Sequence, residues 1–256
     1  MRKPHFMKLL GGLAGRSTTG KAEQAENEYG EQLTSAKIRS GAHREFVGGM
    51  WDQMGSLQFE FLKKQGLEPR HLLMDIGCGC LRGGVHFVPY LDKGRYYGVD
   101  INASLIEAGK KELLKNAANT GKQPDLRVTD RFDLAQFGVH FDYALAISVF
   151  THLYANHIGR CLVEVGNALA PQGQFFATFF EAPSPLHLET IAHAPGEVVT
   201  HFDRDPFHYS FAEMEMMARF AGLSVKLIGD WGHPRDQRML CFTLSRPASD
   251  HKGRAS

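Results

Sequence analysis

Short apolar runs alternate with segments of helical periodicity from about residue 50 almost to the end of the chain, and this alternation strongly constrains the fold. Seven runs are predicted as strands: residues 71–76, 96–100, 126–129, 141–148, 174–180, 224–228 and 239–244. Strands that alternate with helices form mostly parallel sheets covered on both faces. The last two runs have no helix between them, so we expect them to pair in antiparallel. The sequence therefore predicts a doubly wound α/β domain.

The helices are predicted from apolar spacing and from capping patterns. The clearest lies at 158–169, where apolar residues recur at the spacing of one helix face. Further helices are expected at about 51–64, 85–91, 104–115 and 210–221. Ser104 with Glu107, and Ser210 with Glu213, have the spacing of a capping box, so we expect each pair to begin a helix.

Three segments lack this regularity. Residues 1–40 begin basic and then run polar, and we interpret them as a mobile N-terminal tail or lid. Residues 181–209 contain four prolines and four histidines without a clear period. We therefore expect one domain at 41–247 with an insertion at 181–209, followed by a C-terminal tail at 248–256.

Composition disfavours several classes of protein. The net charge of +1 gives no reason to expect a nucleic-acid partner. No apolar stretch approaches the roughly 20 residues of a transmembrane segment, and Gly11 and Gly12 interrupt the only weak signal-peptide pattern. The four cysteines suit reduced thiols, so we expect a cytoplasmic protein. Cys78 and Cys80 lack a second pair to complete a zinc site, and no metal is expected.

The first predicted strand ends in a glycine turn, G-C-G-C-L-R-G-G at 77–84. Ligands of open α/β sheets bind at the carboxyl ends of the strands, and Gly77 and Gly79 let the backbone approach one closely. The spacing is G-x-G-x-x-x-G rather than the G-x-G-x-x-G of dinucleotide sites, which argues against a pyrophosphate. Asp75 precedes the turn, and Asp100 ends the second strand, where a carboxylate can bind both ribose hydroxyls. This pattern favours an adenosine attached to an amino acid.

Three segments carry a family resemblance. M-D-I-G-C-G at 74–79 resembles the first motif of the class I S-adenosylmethionine-dependent methyltransferases, and Y-G-V-D-I at 97–101 resembles their second. Residues 141–153 are similar to their fourth-strand segment, and the likeness extends over roughly 50–245. It implies the Rossmann-like fold of that family, with seven strands of which the last is antiparallel. It also implies S-adenosyl-L-methionine as cofactor and an acceptor-side position for the insertion at 181–209.

The resemblance assigns a set of cofactor-binding residues: Asp75, Gly77, Cys78, Gly79, Asp100, Ile101, Asp130 and Ser148. Asp75 and the turn backbone would contact the methionine part. Asp100 would bind the ribose, and Ile101 would pack on the adenine. Asp130 is similar to the acid that often faces the adenine amino group, although Asp133 offers a second acid close by.

Arg82 departs from the general family pattern. We hypothesise that its guanidinium pairs with the cofactor carboxylate, because planar bidentate pairing suits arginine. The alternative is a surface salt bridge beside the start of the following helix.

His152 is the candidate general base, because it follows the fourth strand and histidine suits proton removal from an alcohol or amine. Thr151 and His152 could equally cap the next helix. His201 and His208 lie in the insertion, where ordinary loop histidines are the simpler interpretation, and the histidines of the insertion have no metal-ligand spacing. The loop at 231–235 is polar and aromatic and could line an acceptor pocket.

The predicted function is methyl transfer to an oxygen or nitrogen of a small molecule or glycan by in-line displacement. An alternative is a protein or lipid acceptor that depends on residues 1–40. Another is a cofactor-binding protein without turnover, and a nicotinamide-dependent reductase is disfavoured by the glycine spacing. The sequence sets neither the acceptor nor the oligomeric state.

Overall fold

The computed structural model describes residues 28–119 and 121–245. Its strands are β1 (Leu73–Ile76), β2 (Tyr96–Asp100), β3 (Asp125–Val128), β4 (Phe141–Ala146), β5 (Leu169–Phe179), β6 (Ile191–His193), β7 (Val198–Thr200), β8 (Leu223–Gly229) and β9 (Arg238–Leu244). The order of the seven-stranded sheet is β3-β2-β1-β4-β5-β9-β8, and β6 with β7 forms a separate hairpin. Neighbours from β3 to β5 pair in parallel, whereas β9 is antiparallel to both β5 and β8. The predicted sheet, with its antiparallel last strand, is confirmed.

The helices are α1 (Ser35–Arg39), α2 (Ala42–Phe46), α3 (Trp51–Lys64), α4 (Gly84–Tyr90), α5 (Ala103–Leu114), α6 (Ala155–Ala168) and α7 (Phe211–Phe220). Short 3-10 turns lie at Glu28–Gly30, Ala117–Asn119, Leu134–Phe137, Phe150–His152 and Ser184–Leu186. None of the helices in the described ranges is long and apolar enough to cross a membrane.

Helices cover both faces of the sheet, and each face has its own apolar core. Successive strand residues point to opposite faces, so Leu73 packs in the cluster with α3, α4 and α5, while Met74 packs in the cluster with α6 and α7. Likewise, Phe175 packs in the cluster with α6 and α7, and Phe176 packs in the cluster with α3, α4 and α5. A central strand buried on both faces explains the continuous apolar run from residue 141.

One of the two predicted capping boxes is present. Ser210 accepts the backbone N–H of Glu213, whose side chain accepts the N–H of Ser210, so α7 begins as predicted. The prediction at Ser104 is wrong, because Asn102 caps α5 by accepting the N–H groups of Ser104 and Leu105. The hydroxyl of Ser104 donates instead to the Asn102 side chain.

Residues 28–40, the described part of the predicted mobile tail or lid, pack against the domain. Asn102, which is fully buried, donates its amide hydrogens to the carbonyls of Tyr29 and Glu31, both at 2.8 Å. Leu33 is buried, and its N–H donates to Ser104 Oγ at 2.8 Å. Residues 1–27 and the predicted C-terminal tail lie outside the described residues.

A buried carboxylate fixes the segment that follows. Glu112 of α5 accepts hydrogen bonds from His43 Nε2 and Arg44 Nη2, each at 2.8 Å, and from Lys115 Nζ. Burial alone would raise the pKa of Glu112, but the hydrogen bonds from Arg44, Lys115 and His43 lower it to about 2. This ionised carboxylate therefore holds α2 against α5 at neutral pH.

The insertion at 181–209 is more ordered than its composition suggests. Strands β6 and β7 pair in antiparallel within it. Isolated bridges join Glu181 to Tyr209 and His201 to Phe207, so its two ends return to the same edge of the domain.

Candidate active site

A cavity of about 700 Å³ opens at the carboxyl ends of β1, β2 and β4. Its wall is formed by the glycine turn, by the ends of these strands, by residues 47–50 and α3, by the insertion, and by the β8–β9 connection. Small-molecule sites in proteins have volumes of roughly 300–1,000 Å³. Its location and size are those of a ligand site in an open α/β sheet.

The glycine turn brings bare backbone to the cavity. Gly77 and Gly79 have φ angles of +68° and +52°, a conformation that other residues rarely adopt. A Cβ on Gly77 would lie 2.5 Å from Val149 Cγ2, so only glycine fits between these chain segments. Cys78 also lines the cavity, and burial raises the pKa of its thiol well above the ordinary value, which keeps it protonated.

Asp100 is held at the end of β2 by backbone donors. Its Oδ2 accepts the N–H of Gly79 and its Oδ1 accepts the N–H of Asn102, both at 2.8 Å. Burial raises the pKa of this carboxyl, while these hydrogen bonds oppose the shift. Each oxygen retains a lone pair for another donor, so the group can accept hydrogen bonds from ligand hydroxyls.

Asp75 lies deeper, at 5% exposure, and accepts the hydroxyl hydrogen of Tyr96 at 2.6 Å. Burial raises its pKa to about 7, although the bond from Tyr96 opposes the rise. A carboxyl that exchanges its proton near neutral pH can accept or donate within the cavity.

Arg82 is half-buried and lines the cavity. Its Nη1 donates to the carbonyls of Val47 at 3.0 Å and Gly49 at 3.1 Å. Within the described part of the chain it forms no salt bridge, so the surface-pair alternative is wrong. Arg82 instead fixes residues 47–50 over the glycine turn.

The wall of the cavity that follows β2 and β3 differs from the prediction at one residue. Ile101 lines the cavity as predicted, together with Thr129 and Phe132. Asp130 does not, because its side chain is exposed on the outer side of the loop after β3. The assignment of Asp130 to the cavity is therefore corrected. Phe132 and Thr129 form this wall instead.

Ser148 lines the cavity just beyond the end of β4. This strand ends at Ala146, two residues earlier than predicted. The N–H of Ser148 donates to Thr178 Oγ1 at 2.8 Å, and its hydroxyl donates to Gln237 Oε1 at 3.0 Å. Thr178 donates to the same Gln237 oxygen at 2.7 Å. This buried network joins the ends of β4 and β5 to the β8–β9 connection.

His152 also lines the cavity, where Asp205 of the insertion meets it. The distance from His152 Nδ1 to Asp205 Oδ1 is 2.6 Å. Tyr29 covers the histidine, with its hydroxyl 3.3 Å from Nε2 and the two ring centroids 4.5 Å apart. Sequence reasoning missed Asp205 and Tyr29, because neither belongs to a periodic segment and each is far from His152 in the chain.

The histidines of the insertion do not reach the cavity wall, which agrees with an ordinary loop role for His201 and His208. Thr200 Oγ1 links His193 Nε2 at 2.9 Å to His208 Nδ1 at 2.8 Å, and His208 Nε2 donates to the His187 carbonyl. Over the described residues, no group of three His, Cys, Asp or Glu side chains could hold a metal ion. The cluster therefore fixes the insertion.

The loop at 231–235 reaches the cavity through His233 and Arg235. The N–H of Arg235 donates to His233 Nδ1 at 3.1 Å, and its Nη2 donates to the Gly48 carbonyl at 2.9 Å. Burial, then the charges of Arg82 and Arg235, lower the pKa of His233 to about 3. His233 is therefore neutral at physiological pH.

These elements fit an adenosine that carries an amino acid. A bare glycine turn, a backbone-held carboxylate at the end of β2 and an apolar wall at Ile101 and Phe132 suit its three parts. The fold and the site together define a class of protein that binds a nucleoside without a pyrophosphate.

Comparisons with known proteins agree with this class. Residues 74–175 match the family model described as a methyltransferase domain. Solved structures show the same fold. An S-adenosylmethionine-dependent methyltransferase from Clostridium acetobutylicum has a TM-score of 0.60 and 11% identity, over 83% of this chain and 100% of its own.

Two further solved structures are similar in fold. A magnesium protoporphyrin IX methyltransferase from Synechocystis, crystallised with bound S-adenosylhomocysteine, has a TM-score of 0.54 and 17% identity, over 84% of this chain and 90% of its own. A glycopeptide N-methyltransferase, crystallised with S-adenosylmethionine, has a TM-score of 0.56 and 13% identity, over 74% of this chain and 94% of its own.

Residues 74–175 thus carry a methyltransferase domain, and the chain has the fold of S-adenosylmethionine-dependent methyltransferases. The chain is a methyltransferase, and two of the structures with this fold were crystallised with S-adenosylhomocysteine or S-adenosylmethionine.

Proposed function

We propose that this enzyme methylates an oxygen or nitrogen atom of a small molecule or glycan, with His152 as the general base. The observation that carries the proposal is the 2.6 Å contact between His152 Nδ1 and Asp205 inside the cavity. A carboxylate on Nδ1 fixes that nitrogen as the donor, so Nε2 presents a lone pair. Nε2, which the Tyr29 hydroxyl contacts at 3.3 Å, can take the proton of an alcohol or amine that replaces this hydroxyl.

The cofactor supplies an activated methyl group on a sulfonium, which leaves the protein mainly to position and deprotonate the acceptor. With the cofactor bound, the acceptor atom would take the methyl carbon in line, and the electron pair of the broken sulfur–carbon bond would return to sulfur. The acceptor proton passes to His152 Nε2. Asp205 stabilises the imidazolium that results, and Tyr29 packs over the ring to limit its rotation.

The lining of the cavity supports an assignment of the cofactor contacts. We assign the ribose to Asp100, the adenine to the wall at Ile101 and Phe132, and the methionine part to Asp75 and the turn at 77–79. Ser148 contacts the cofactor at the end of β4. Arg82 takes the cofactor carboxylate with the guanidinium hydrogens that Val47 and Gly49 leave unused.

The covered cavity favours a small acceptor or a single sugar. Tyr29, residues 47–50 and the insertion all contribute to its wall, and about 700 Å³ must hold both cofactor and acceptor. The four free cysteines, of which three are buried, support the cytoplasmic location expected from the sequence.

The test begins with titration of the purified chain with S-adenosylhomocysteine. Asp100→Ala should weaken binding about 10- to 100-fold, since hydrogen bonds to a charged group contribute roughly 1.5–3 kcal/mol. Asp130→Ala removes an exposed acid from the neighbouring loop and should bind as the wild type does. Equal effects of the two changes would contradict the assignment of the ribose.

The acceptor class is tested by transfer of a labelled methyl group. Panels of small alcohols and amines, oligosaccharides, unfolded proteins and lipid vesicles should be offered separately. Transfer confined to the first two supports the proposal. Transfer to protein or vesicles alone would overturn it.

A further inference from the structure

The cavity contains two guanidinium groups that pair with no carboxylate among the described residues. Arg82 donates to the Val47 and Gly49 carbonyls, and Arg235 donates to the Gly48 carbonyl. Neither forms an ion pair with any carboxylate in the described ranges. Burial lowers the pKa of Arg82 and the charge of Arg235 lowers it further, while Cys80 and Asp75 partly oppose the shift. Partly buried charges are usually paired, so two mutually repelling cations indicate that ligands supply negative charge.

The acids of the cavity are already engaged. Asp100 accepts two backbone N–H groups, and Asp205 pairs with His152. Asp75 is buried, and its pKa of about 7 leaves it partly neutral. Asp75 thus compensates Arg82 only in part, and none of these acids pairs with Arg235.

The neighbourhood of Arg235 is fixed before any ligand binds. Trp231 Nε1 donates to the Gln237 carbonyl at 3.0 Å, and the Trp231 ring packs on Phe61 of α3 at a centroid distance of 5.4 Å. A Cβ on Gly196 of the insertion would lie 2.6 Å from Arg235 Cα, so the insertion presses on this loop. Contacts on opposite sides hold the loop in one conformation.

His233 adds a neutral donor beside this arginine. Its Nδ1 accepts the N–H of Arg235, so the proton of the neutral ring is on Nε2. The side chain is 6% exposed and lines the cavity, and Nε2 has no hydrogen-bond partner in the described part of the protein. One loop thus offers a planar cation and an N–H donor together.

The position of this loop separates it from the adenosine end. Gln237 reaches Ser148 and Thr178 at the ends of β4 and β5, whereas Asp100 ends β2, on the other side of β1. Adjacent strands are about 4.8 Å apart, so the loop is beside the acceptor region rather than the ribose. Arg82, directly after the glycine turn, is the arginine closer in sequence to the cofactor motif.

We propose that the acceptor carries a carboxylate, which Arg235 binds through its guanidinium and His233 binds through Nε2–H. This inference rests on the proposed function and specifies its substrate class. The carboxylate is the group that orients the acceptor, and the methylated oxygen or nitrogen lies elsewhere on the same molecule, towards His152.

The experiment uses the full chain saturated with S-adenosylhomocysteine. A panel of hydroxy and amino acids on aliphatic and aromatic frames is titrated by calorimetry, each beside the amide of the same frame. At least one acid should bind about tenfold or more tightly than its amide, in keeping with the strength of charge-assisted pairing. If no acid in the panel binds better than its amide, the proposal is overturned.

Arg235→Gln should abolish the preference for acids and leave the affinity for S-adenosylhomocysteine unchanged. Arg238→Gln is the matched control, because it removes a nearby positive charge that pairs with Glu181 outside the cavity. Loss of S-adenosylhomocysteine binding in Arg235→Gln alone would assign the guanidinium to the cofactor and overturn the inference. Methyl transfer by the wild type to neutral acceptors only would overturn it while leaving the proposed function intact.

Discussion

The two halves of the cavity are built from the chain in different ways. The cofactor half comprises residues 75–101 and 129–132, and its central contact joins Gly79 to Asp100 across 21 positions. The acceptor half comprises residues 149–152, 180–206 and 233–237, where His152 meets Asp205 across 53 positions. Ser148, at the border of the two halves, meets Gln237 across 89. A site made within one strand–helix–strand unit leaves a compact sequence pattern, and a site assembled from distant loops does not.

The largest expected effect separates the halves by function. His152→Gln should lower turnover about 100- to 10,000-fold, because a positioned general base contributes that much. Binding of S-adenosylhomocysteine should not change, since the substitution lies in the acceptor half. Steady-state kinetics and calorimetry measure the two quantities.

His140→Gln is the control for that substitution, because His140 is exposed. Normal turnover in His152→Gln would place proton removal on another group. Weaker cofactor binding would show that the two halves are not separable at this residue.

The next prediction concerns pH and the cofactor half. Burial raises the pKa of Asp75 from 3.8 to about 7, so the folded protein keeps a proton that the unfolded chain has lost between these values. Stability therefore falls as the pH rises through this window, by at most roughly 4 kcal/mol for a shift of about three pKa units. Asp75→Asn can still accept the Tyr96 hydrogen bond but cannot ionise.

Unfolding of wild type and Asp75→Asn should be compared from about pH 4 to about pH 8. The variant should gain stability relative to the wild type as the pH rises, because only the wild type then buries a charge. If the difference in stability between the two proteins does not change with pH, Asp75 ionises equally in the folded and unfolded states.

Backbone geometry gives the third prediction. Gly77→Ala and Gly94→Ala both place a side chain at positive φ, +68° and +71°, which costs roughly 1–3 kcal/mol. Only at Gly77 would the new Cβ meet Val149, because nothing lies within 4 Å at Gly94. Both variants should unfold at lower temperature, and only Gly77→Ala should also bind S-adenosylhomocysteine more weakly. The same binding loss in both would mean that general destabilisation, not the shape of the turn, governs the cofactor half.

The smallest effect is expected at the border of the acceptor half. Ser210→Ala should cost about 1 kcal/mol of stability by removing the cap of α7. Denaturant unfolding measures the change, and Ser224→Ala, on the exposed side of β8, is the control. An unaltered stability would show that the Glu213 side chain alone is enough to begin the helix.

The sequence predicts those parts of the fold whose signal is local. Alternating apolar runs identify the seven strands of the sheet, and Ser210 with Glu213 identifies the start of α7. The β6–β7 hairpin was missed because its strands have three residues each, too few for a period. At Ser104 the pattern failed because Asn102, two residues earlier, offers the same backbone cap and is anchored by Tyr29 and Glu31.

The site shows the same division between residues that local sequence patterns identify and residues that tertiary packing brings in. The carboxylate of Asp100 follows from its place at the end of a strand, but the orientation of Asp130 depends on how the loop after β3 turns. Asp205, Gln237 and Arg235 reach the cavity only through tertiary packing of irregular segments. Residue types in the loop at 231–235 indicated a pocket wall, and the cavity does include two of them.

The carbonyls of Val47, Gly48 and Gly49 each accept a hydrogen bond from a guanidinium of the domain, Arg82 or Arg235. Val47 lies 3.2 Å from where a Cβ of Gly79 would be, so we expect release of the spent cofactor to require the Arg82 contacts to open. Opening of covering segments limits turnover in many enzymes. We therefore expect a rapid first turnover followed by a slower steady rate, and this rate should follow the opening of the Arg82 contacts rather than the nucleophilicity of the acceptor.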